Sequence, residues 1–278
     1  IFRKKIRMSL VETDWLQNNI NNVKIIDCSW HMPQTNRNGL EEYKKHHIQN
    51  AIFFDLDSNS KKDIDLPHML VDAKSWEKIV SNMGISKNDK IIIYDNSDVI
   101  SSCRCWFNFI YFGHDPKLVH VLNGGLQKWV SENREITDDD TNIQLSKYQS
   151  FEKKELVKDK KSIDQNIIEK NFQVIDARSK DRFDGKIAEP RKNVRSGSIE
   201  NSFCLPYSEL IKKDNSFKSL NEIKTKFDQI LGPNHKKEIV FSCGSGITAA
   251  VLALAYTLIN NNYQPSIYDG SWAEYGKI

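Results

Sequence analysis

The sequence predicts an α/β protein with two tandem domains, each built on a mainly parallel sheet flanked by helices. Short β-rich runs alternate with helical patterns along the chain, an order typical of βαβ units whose sheet is buried on both faces. The same series of patterns occurs twice, and an internal repeat of this kind indicates a duplicated domain. A length of 278 residues is comfortable for two cores.

The repeat is visible in four pairs of segments. "VKIIDCSW" parallels "FQVIDARS", "HHIQNAIFFDL" parallels "GSIENSFCLPY", "NMGISKNDKIIIYD" parallels "QILGPNHKKEIVFSC", and "VHVLNGGLQKWV" parallels "PSIYDGSWAEYG". The offset is nearly constant, at 149 for Asp27 to Asp176 and 148 for Asp95 to Cys243. Each pair contains an apolar, β-branched run that predicts a buried strand.

Helical patterns precede the central strand of each copy. "DAKSWEKIVSNMG" comes before "IIIYD", and "SLNEIKTKFDQILG" comes before "IVFSC". The charged stretch from "NREITDDDTN" to "KKELVKDKK" lacks apolar periodicity and falls where the first copy ends. We predict a first domain at residues 8–133, a linker at 134–160 and a second domain at 161–278, with residues 1–7 as an upstream extension outside the fold.

The composition excludes several classes of partner. The 40 basic and 37 acidic residues give a formal charge of only +3, so we expect no nucleic-acid partner. No apolar run reaches the roughly 18 residues that a bilayer requires, and the opening "IFRKKIRMSL" is too short and polar for a secretory signal. We therefore expect a cytoplasmic protein without a membrane partner. We also expect a monomer, because two domains within one chain remove the need for a dimer.

The cysteine pattern argues against disulfides and metal. Five scattered cysteines do not form the framework of a disulfide-rich protein. Cys103 and Cys105 form a lone C-x-C without a second ligand pair, so we expect no metal site and interpret both as packing residues on a helix.

Cys243 is different because it ends the strand pattern "EIVFSC" and precedes the helical pattern "GITAAVLALAYTLINN". Ligands of open parallel sheets bind at this edge. Gly244, Ser245 and Gly246 allow a tight loop whose backbone N–H groups point inward, and the helix dipole adds positive potential. Such a loop stabilises a thiolate, since a helix N-terminus lowers a thiol pKa by roughly one to several units. The alternative is a small hydrophobic packing residue.

"CGSGITA" resembles the active-site loop of the sulfurtransferases with two rhodanese domains, and it is most similar to their 3-mercaptopyruvate branch. Further matching motifs are "IFFDLD", "PHML", "NGGLQKW", "DARSKDRF", "EPR" and "YDGSWAE", so the resemblance covers residues from about 11 to 275. It implies two rhodanese-like domains. It also implies that Cys243 takes sulfur from 3-mercaptopyruvate as a persulfide, releases pyruvate and passes the sulfur to cyanide or to a thiol such as thioredoxin or a small thiol. No cofactor is expected beyond the covalent persulfide.

The first copy has Asp95 at the position that corresponds to Cys243. A carboxylate cannot form a persulfide, and "NSDVISS" lacks the paired glycines of the second copy. The first domain is therefore expected to be a non-catalytic partner.

The resemblance assigns recognition of the donor to two arginines outside the loop. Thiosulfate-using relatives carry an Arg-Lys pair where this chain has Gly244 and Ser245, whereas the mercaptopyruvate branch holds the donor's carboxylate and keto group with arginines that match Arg182 and Arg191. A guanidinium suits a carboxylate because it binds in a bidentate manner. The other predicted substrate-binding residues are Gly244, Gly246, Ile247 and Thr248.

Two other interpretations concern arginines. A loop arginine is by default a solvated side chain, and this is the alternative for Arg182 and Arg191. Arg178 in "DAR" is predicted to form a structural salt bridge near the domain core.

The resemblance also implies a catalytic set of Asp57, His68 and Ser245. In this set Asp57 and His68 would orient Ser245. The set would protonate the pyruvate enolate or activate the acceptor. The set requires His68, from the first copy in sequence, to meet Ser245 of the second. The alternative is that His68 caps a loop beside Pro67.

Three alternative functions stay open at this point. The first is a thiosulfate:cyanide sulfurtransferase. The second is a cysteine-dependent phosphatase, although its signature needs an arginine six positions after the cysteine, where this chain has Ala249. The third is a non-enzymatic sulfur-carrier module.

Overall fold

The computed structural model describes residues 9–233, 235 and 237–278. The predicted upstream extension, residues 1–7, lies outside the described residues. The chain divides into two compact units. The described part of the first unit comprises residues 9–59, 71–153 and 213–216, and the second unit comprises residues 60–70, 154–212 and 217–278.

The first unit is a parallel sheet with helices between its strands. The strands pair in the order β1-β5-β4-β2-β3, and every pairing is parallel. The strands are β1 (Leu10–Val11), β2 (Lys24–Asp27), β3 (Ala51–Phe53), β4 (Ile91–Tyr94) and β5 (Val119–Leu122). The helices are α1 (Thr13–Gln17), α2 (Gly39–Lys45), α3 (Ala73–Asn82), α4 (Ser102–Tyr111) and α5 (Gly125–Ser131), with a 3-10 turn at Pro33–Thr35.

The second unit repeats this arrangement with the strand order β6-β10-β9-β7-β8, again parallel throughout. The strands are β6 (Val157–Lys158), β7 (Phe172–Asp176), β8 (Phe203–Cys204), β9 (Glu238–Ser242) and β10 (Ile267–Tyr268). The helices are α6 (Lys160–Glu169), α7 (Lys180–Phe183), α8 (Leu220–Leu231), α9 (Ile247–Ile259) and α10 (Ser271–Tyr275), with 3-10 turns at Lys154–Leu156 and Tyr207–Leu210. The predicted fold class is confirmed.

Local sequence explains where the principal helices begin. α3 and α6 start after Asp72 and Asp159, whose carboxylates accept the backbone N–H groups of Ser75 and Ser162. α8 starts with a capping box, in which Ser219 and Glu222 bond each other's backbone N–H. Such caps satisfy N–H groups that have no partner within the helix.

The predicted linker, residues 134–160, is divided between the two units. Residues 134–153 belong to the first unit, where Thr137 forms an antiparallel bridge with His47 and Tyr148 is buried against His114. Residues 154–160 contribute β6 and the first residue of α6 to the second unit. These tertiary hydrogen bonds and ring contacts order a segment that has no apolar periodicity of its own.

Cys103 and Cys105 both lie on α4 and are fully buried. Their prediction as helical packing residues is confirmed.

Candidate active site

Cys243 lies at the carboxyl end of β9, which is buried between β7 and β10. Gly246 follows in a left-handed conformation with a φ of 80° and forms the N-cap of α9, a conformation that glycine adopts without steric cost. The resulting turn brings the Gly246 N–H to 3.1 Å from Cys243 Sγ. The sulfur is therefore held as a hydrogen-bond acceptor, the arrangement that a thiolate needs.

The start of α10 fixes the backbone of the cysteine loop. The Cys243 N–H donates to Ser271 Oγ at 3.1 Å, and the backbone N–H groups of Trp272 and Ala273 donate to the carbonyls of Cys243 and Gly244 at 2.9 Å each. Sequence reasoning missed Ser271 as a site residue. The signal was present, because "YDGSW" follows the strand next to β9.

Two arginines converge on Gly244. A methyl group in place of a Gly244 hydrogen would lie 3.2 Å from Arg182 Nη2 and 3.4 Å from Arg191 Nη1. Glycine at this position lets both guanidinium groups approach the loop. The second unit thus brings Arg182 and Arg191 to the residue that follows Cys243, and the pair presents donors suited to a carboxylate.

The Arg182 side chain is anchored by Glu189. Arg182 Nη2 and Nε lie 2.6 and 3.1 Å from Glu189 Oε2 and Oε1. Glu189 Oε1 also accepts a hydrogen bond from Arg178 Nη1 at 2.8 Å. Sequence reasoning did not single out Glu189, although it opens the "EPR" motif.

The predicted structural salt bridge of Arg178 is confirmed. Its Nη2 lies 2.7 Å from Asp176 Oδ2, and the side chains of both residues are almost fully buried. Burial lowers the pKa of Arg178, but the carboxylates of Asp176 and Glu189 outweigh burial and hold that pKa above its ordinary value. Arg178 therefore stays charged inside the unit.

His68 meets Ser245 within the second unit, because the segment Ser60–Leu70 belongs to that unit. His68 Nδ1 lies 2.9 Å from Ser245 Oγ, and the imidazole tautomer decides which atom donates. Arg191 Nη2 donates to the same Oγ at 3.3 Å. Ser245 is thus placed between a base and a cation, next to the thiol.

The backbone of His68 is left-handed, with a φ of 60°. This conformation costs a non-glycine residue about 1 kcal/mol or more, so the surrounding segment must impose it. The Leu70 N–H donates to Asp269 Oδ2 at 2.9 Å, and the Lys61 N–H donates to the Met69 carbonyl at 2.8 Å.

The remaining predicted residues have different positions. Asp57 lies in the first unit and its Oδ2 accepts a hydrogen bond from Trp30 Nε1 at 2.9 Å. Ile247 is buried and Thr248 is half-buried in the first turn of α9. The structure therefore groups Cys243, Gly244, Ser245, Gly246, Arg182, Arg191 and His68 around one loop.

Comparison with known proteins decides the family. Residues 12–132 and 159–277 each match the family described as Rhodanese-like domain. The chain belongs to the rhodanese family of sulfurtransferases. The predicted family is thereby confirmed.

Individual relatives extend over most of this rhodanese. Thiosulfate/3-mercaptopyruvate sulfurtransferase 1, mitochondrial, from Arabidopsis thaliana is 36% identical, with 96% of this chain and 75% of that protein aligned. The 3-mercaptopyruvate sulfurtransferase of Mus musculus is 32% identical, with 91% and 84% aligned. The crystal structure of SseA from Escherichia coli, described for 3-mercaptopyruvate sulfotransferases, superposes with a TM-score of 0.83 at 29% identity and covers 95% of this chain and 98% of that one.

The first rhodanese domain has a carboxylate at the position that corresponds to Cys243. Asp95 directly follows β4, as Cys243 follows β9. Its oxygens accept the backbone N–H groups of Ser97 at 3.0 Å and Ser102 at 3.3 Å. One N–H group of the loop and one at the start of α4 are thus directed at a side chain of the domain itself, and burial raises the pKa of Asp95.

The described residues contain no group of three or more His, Cys, Asp or Glu side chains that could hold a metal ion. None of the helices in the described part of the chain has the length and apolar character of a membrane span.

Proposed function

We propose that this rhodanese transfers sulfane sulfur from 3-mercaptopyruvate to a thiol or to cyanide through a persulfide on Cys243. The observation that carries the proposal is the convergence of Arg182 and Arg191 on Gly244, directly beside the thiol. A nucleophilic sulfur next to two carboxylate-binding cations suits a donor that has both a sulfur and a carboxylate. The names of the Arabidopsis and mouse relatives support this donor.

The first half of the reaction moves sulfur onto the enzyme. The Cys243 thiolate attacks the sulfur of the donor and forms an S–S bond, while the C–S bond of the donor breaks. The electron pair of that bond passes to carbon and gives the enolate of pyruvate. The enolate takes up one proton, the new persulfide releases one on ionisation, and pyruvate leaves.

The second half returns the enzyme to its resting state. An acceptor thiolate attacks the outer sulfur, and the S–S bond to Cys243 breaks with its electrons on the Cys243 sulfur. The product is an acceptor persulfide, or thiocyanate when the acceptor is cyanide. The thiolate and the persulfide are both anions, so the same loop N–H groups stabilise both resting states.

Ser245 and His68 manage the enolate proton in this proposal. The Ser245 hydroxyl lies one hydrogen bond from His68 Nδ1 and one from Arg191. The serine can therefore donate a proton to the enolate and recover it from the imidazole, while Arg191 holds the oxygen in place. Asp57 is the third member of the predicted set, and its part stays a prediction.

Thiosulfate is the second candidate donor, since the Arabidopsis relative is named for both donors. The loop lacks a basic side chain at positions 244 and 245, which favours mercaptopyruvate. A phosphatase is disfavoured by Ala249, which is buried in α9 where that chemistry needs an arginine.

Steady-state turnover tests the proposal. Pyruvate release from 3-mercaptopyruvate with a thiol acceptor should disappear in Cys243→Ser and persist in the control Cys204→Ser, which changes a half-buried cysteine on β8. Unchanged turnover in Cys243→Ser would exclude the mechanism. A higher kcat/KM for thiosulfate than for mercaptopyruvate would assign the thiosulfate activity instead.

The acceptor, the monomeric state and the cytoplasmic location remain predictions. Thioredoxin and small thiols can be compared as acceptors in the same assay. Light scattering of the purified chain measures its oligomeric state, and cell fractionation locates it.

A further inference from the structure

Glu189, the acidic residue that contacts Arg182, has no role in the reaction described above. Glu189 is 2% exposed at its side chain, and it contacts the guanidinium groups of both Arg178 and Arg182. We infer that Glu189 sets the donor preference of the site: its carboxylate offsets one positive charge beside the loop and so favours a donor with one negative charge over a donor with two. This inference rests on the proposed sulfurtransferase function.

The geometry directs Glu189 mainly to Arg182. Both carboxylate oxygens contact Arg182, at 2.6 and 3.1 Å, whereas a single oxygen contacts Arg178, at 2.8 Å. Arg178 already has the carboxylate of Asp176 on its Nε and Nη2. Arg178 therefore retains an acidic partner without Glu189, and the charge of Glu189 acts chiefly on Arg182.

Burial makes this charge effective at the loop. The side chain of Arg182 is 21% exposed and that of Glu189 is 2% exposed, so solvent screens the carboxylate only weakly. Poor screening preserves Coulomb interactions over several ångströms. Glu189 thus lowers the positive potential at the cysteine loop, and this effect acts on any anion that binds there.

Coulomb energy is proportional to ligand charge, so a dianion loses twice as much attraction as a monoanion when one positive charge is offset. Mercaptopyruvate has one carboxylate and a thiol, whereas thiosulfate has two negative charges. The carboxylate of Glu189 should therefore disfavour thiosulfate more than mercaptopyruvate. The absence of basic residues at positions 244 and 245 acts in the same direction.

The test compares the two donors in Glu189→Gln. The amide keeps the size of the side chain and can still accept a hydrogen bond, but it removes the charge. We expect the ratio of kcat/KM for mercaptopyruvate to that for thiosulfate to fall by about tenfold or more. Glu189→Asp keeps the charge, so it should retain the wild-type ratio within about threefold even if both activities drop.

Asp181→Asn is the matched control. Asp181 precedes Arg182 in α7 and its side chain is 62% exposed, so its substitution makes the same change of formal charge in water. The donor ratio should stay at the wild-type value, because solvent and salt screen an exposed charge. An equal fall of the ratio in this control would show a general charge effect and contradict a specific role of Glu189.

An unchanged donor ratio in Glu189→Gln, or an equal fall of the ratio in Glu189→Asp, would overturn the inference. These outcomes leave the proposed function intact, which fails only if the wild-type chain releases no pyruvate from mercaptopyruvate.

Discussion

At the scale of single residues, Cys243 and Asp95 occupy corresponding positions with different consequences. Each follows the central strand of a sheet and accepts backbone N–H groups from the loop or helix beyond it. The Asp95 carboxylate is capped by two such groups and is chemically inert to sulfur transfer. The same position therefore tolerates either residue structurally, and the thiol is explained by chemistry and not by packing.

Gly244 is predicted to contribute to donor binding. In Gly244→Ala the new methyl group would meet the guanidinium groups of Arg182 and Arg191 at 3.2 and 3.4 Å and shift them by a few tenths of an ångström. We expect KM for mercaptopyruvate to rise by about tenfold, which corresponds to about 1.4 kcal/mol of binding, with little change in the unfolding midpoint. An unchanged KM would show that the arginines do not bind the donor at this point.

Ser245 and His68 are predicted to act as one unit. Ser245→Ala should lower kcat by about 100-fold because the enolate loses its proton donor. His68→Gln should cause a similar loss, and the double variant should be little worse than either single one. Additive losses in the double-mutant cycle would contradict a shared step.

Asp57→Asn tests whether the predicted set includes the aspartate. A relay role predicts a fall in kcat comparable to that of His68→Gln. Wild-type kcat would instead exclude Asp57 from the catalytic set.

Short motifs predicted some site residues and missed others, for a physical reason. The thiol, the two arginines and Ser245 lie in motifs that can be recognised locally. Glu189 reaches Arg178 over 11 positions, through the short helix α7 and the irregular segment that follows it. Ser271 reaches Cys243 over 28 positions because β10 pairs with β9. The motifs "EPR" and "YDGSW" contain these residues, but which side chain or backbone group each one contacts depends on tertiary structure.

At the scale of secondary structure elements, the ends of β2 and β7 show how the two copies diverged. Asp27 and Asp176 occupy corresponding positions, but Asp176 is paired with Arg178, whereas the residue two positions after Asp27 is Ser29. Burial is the largest influence on the pKa of Asp27 and raises it to about 7.

This difference predicts a pH-dependent stability. A carboxyl whose pKa is raised from 3.8 to about 7 by folding stabilises the native state fully below its unfolded pKa, and this contribution is lost as the pH rises towards 7. Asp27→Asn lacks this titration. Between pH 4 and pH 7 its free energy of unfolding should therefore lose on the order of a few kcal/mol less than that of the wild-type chain. Denaturant unfolding at several pH values measures the difference, and parallel pH profiles for the two proteins would refute the prediction.

At the scale of the whole molecule, the constant sequence offset predicted the duplication, and both sheets indeed have the same strand order. The assignment of Ser60–Leu70 to the second unit was not predicted, although it brings His68 to Ser245. Nor was the ordering of residues 134–153 against the first unit. Both segments are polar and irregular, and tertiary hydrogen bonds, not hydrophobic periodicity, determine where they lie.

The duplication also predicts how many sulfur atoms the chain can hold. Asp95 occupies the cysteine position of the first copy, and Cys243 is the one of the five cysteines that directly follows the central strand of a sheet and accepts a backbone N–H at its sulfur. One persulfide per chain is therefore expected.

Peptide-resolved mass spectrometry after a single turnover with 3-mercaptopyruvate and no acceptor tests sulfur transfer through Cys243 directly. We expect the added mass of one sulfur atom on the peptide that contains Cys243, in equal amount to the pyruvate released, and neither product in Cys243→Ser. Pyruvate release without added sulfur on that peptide, or added sulfur on the peptide of Cys204 instead, would contradict it.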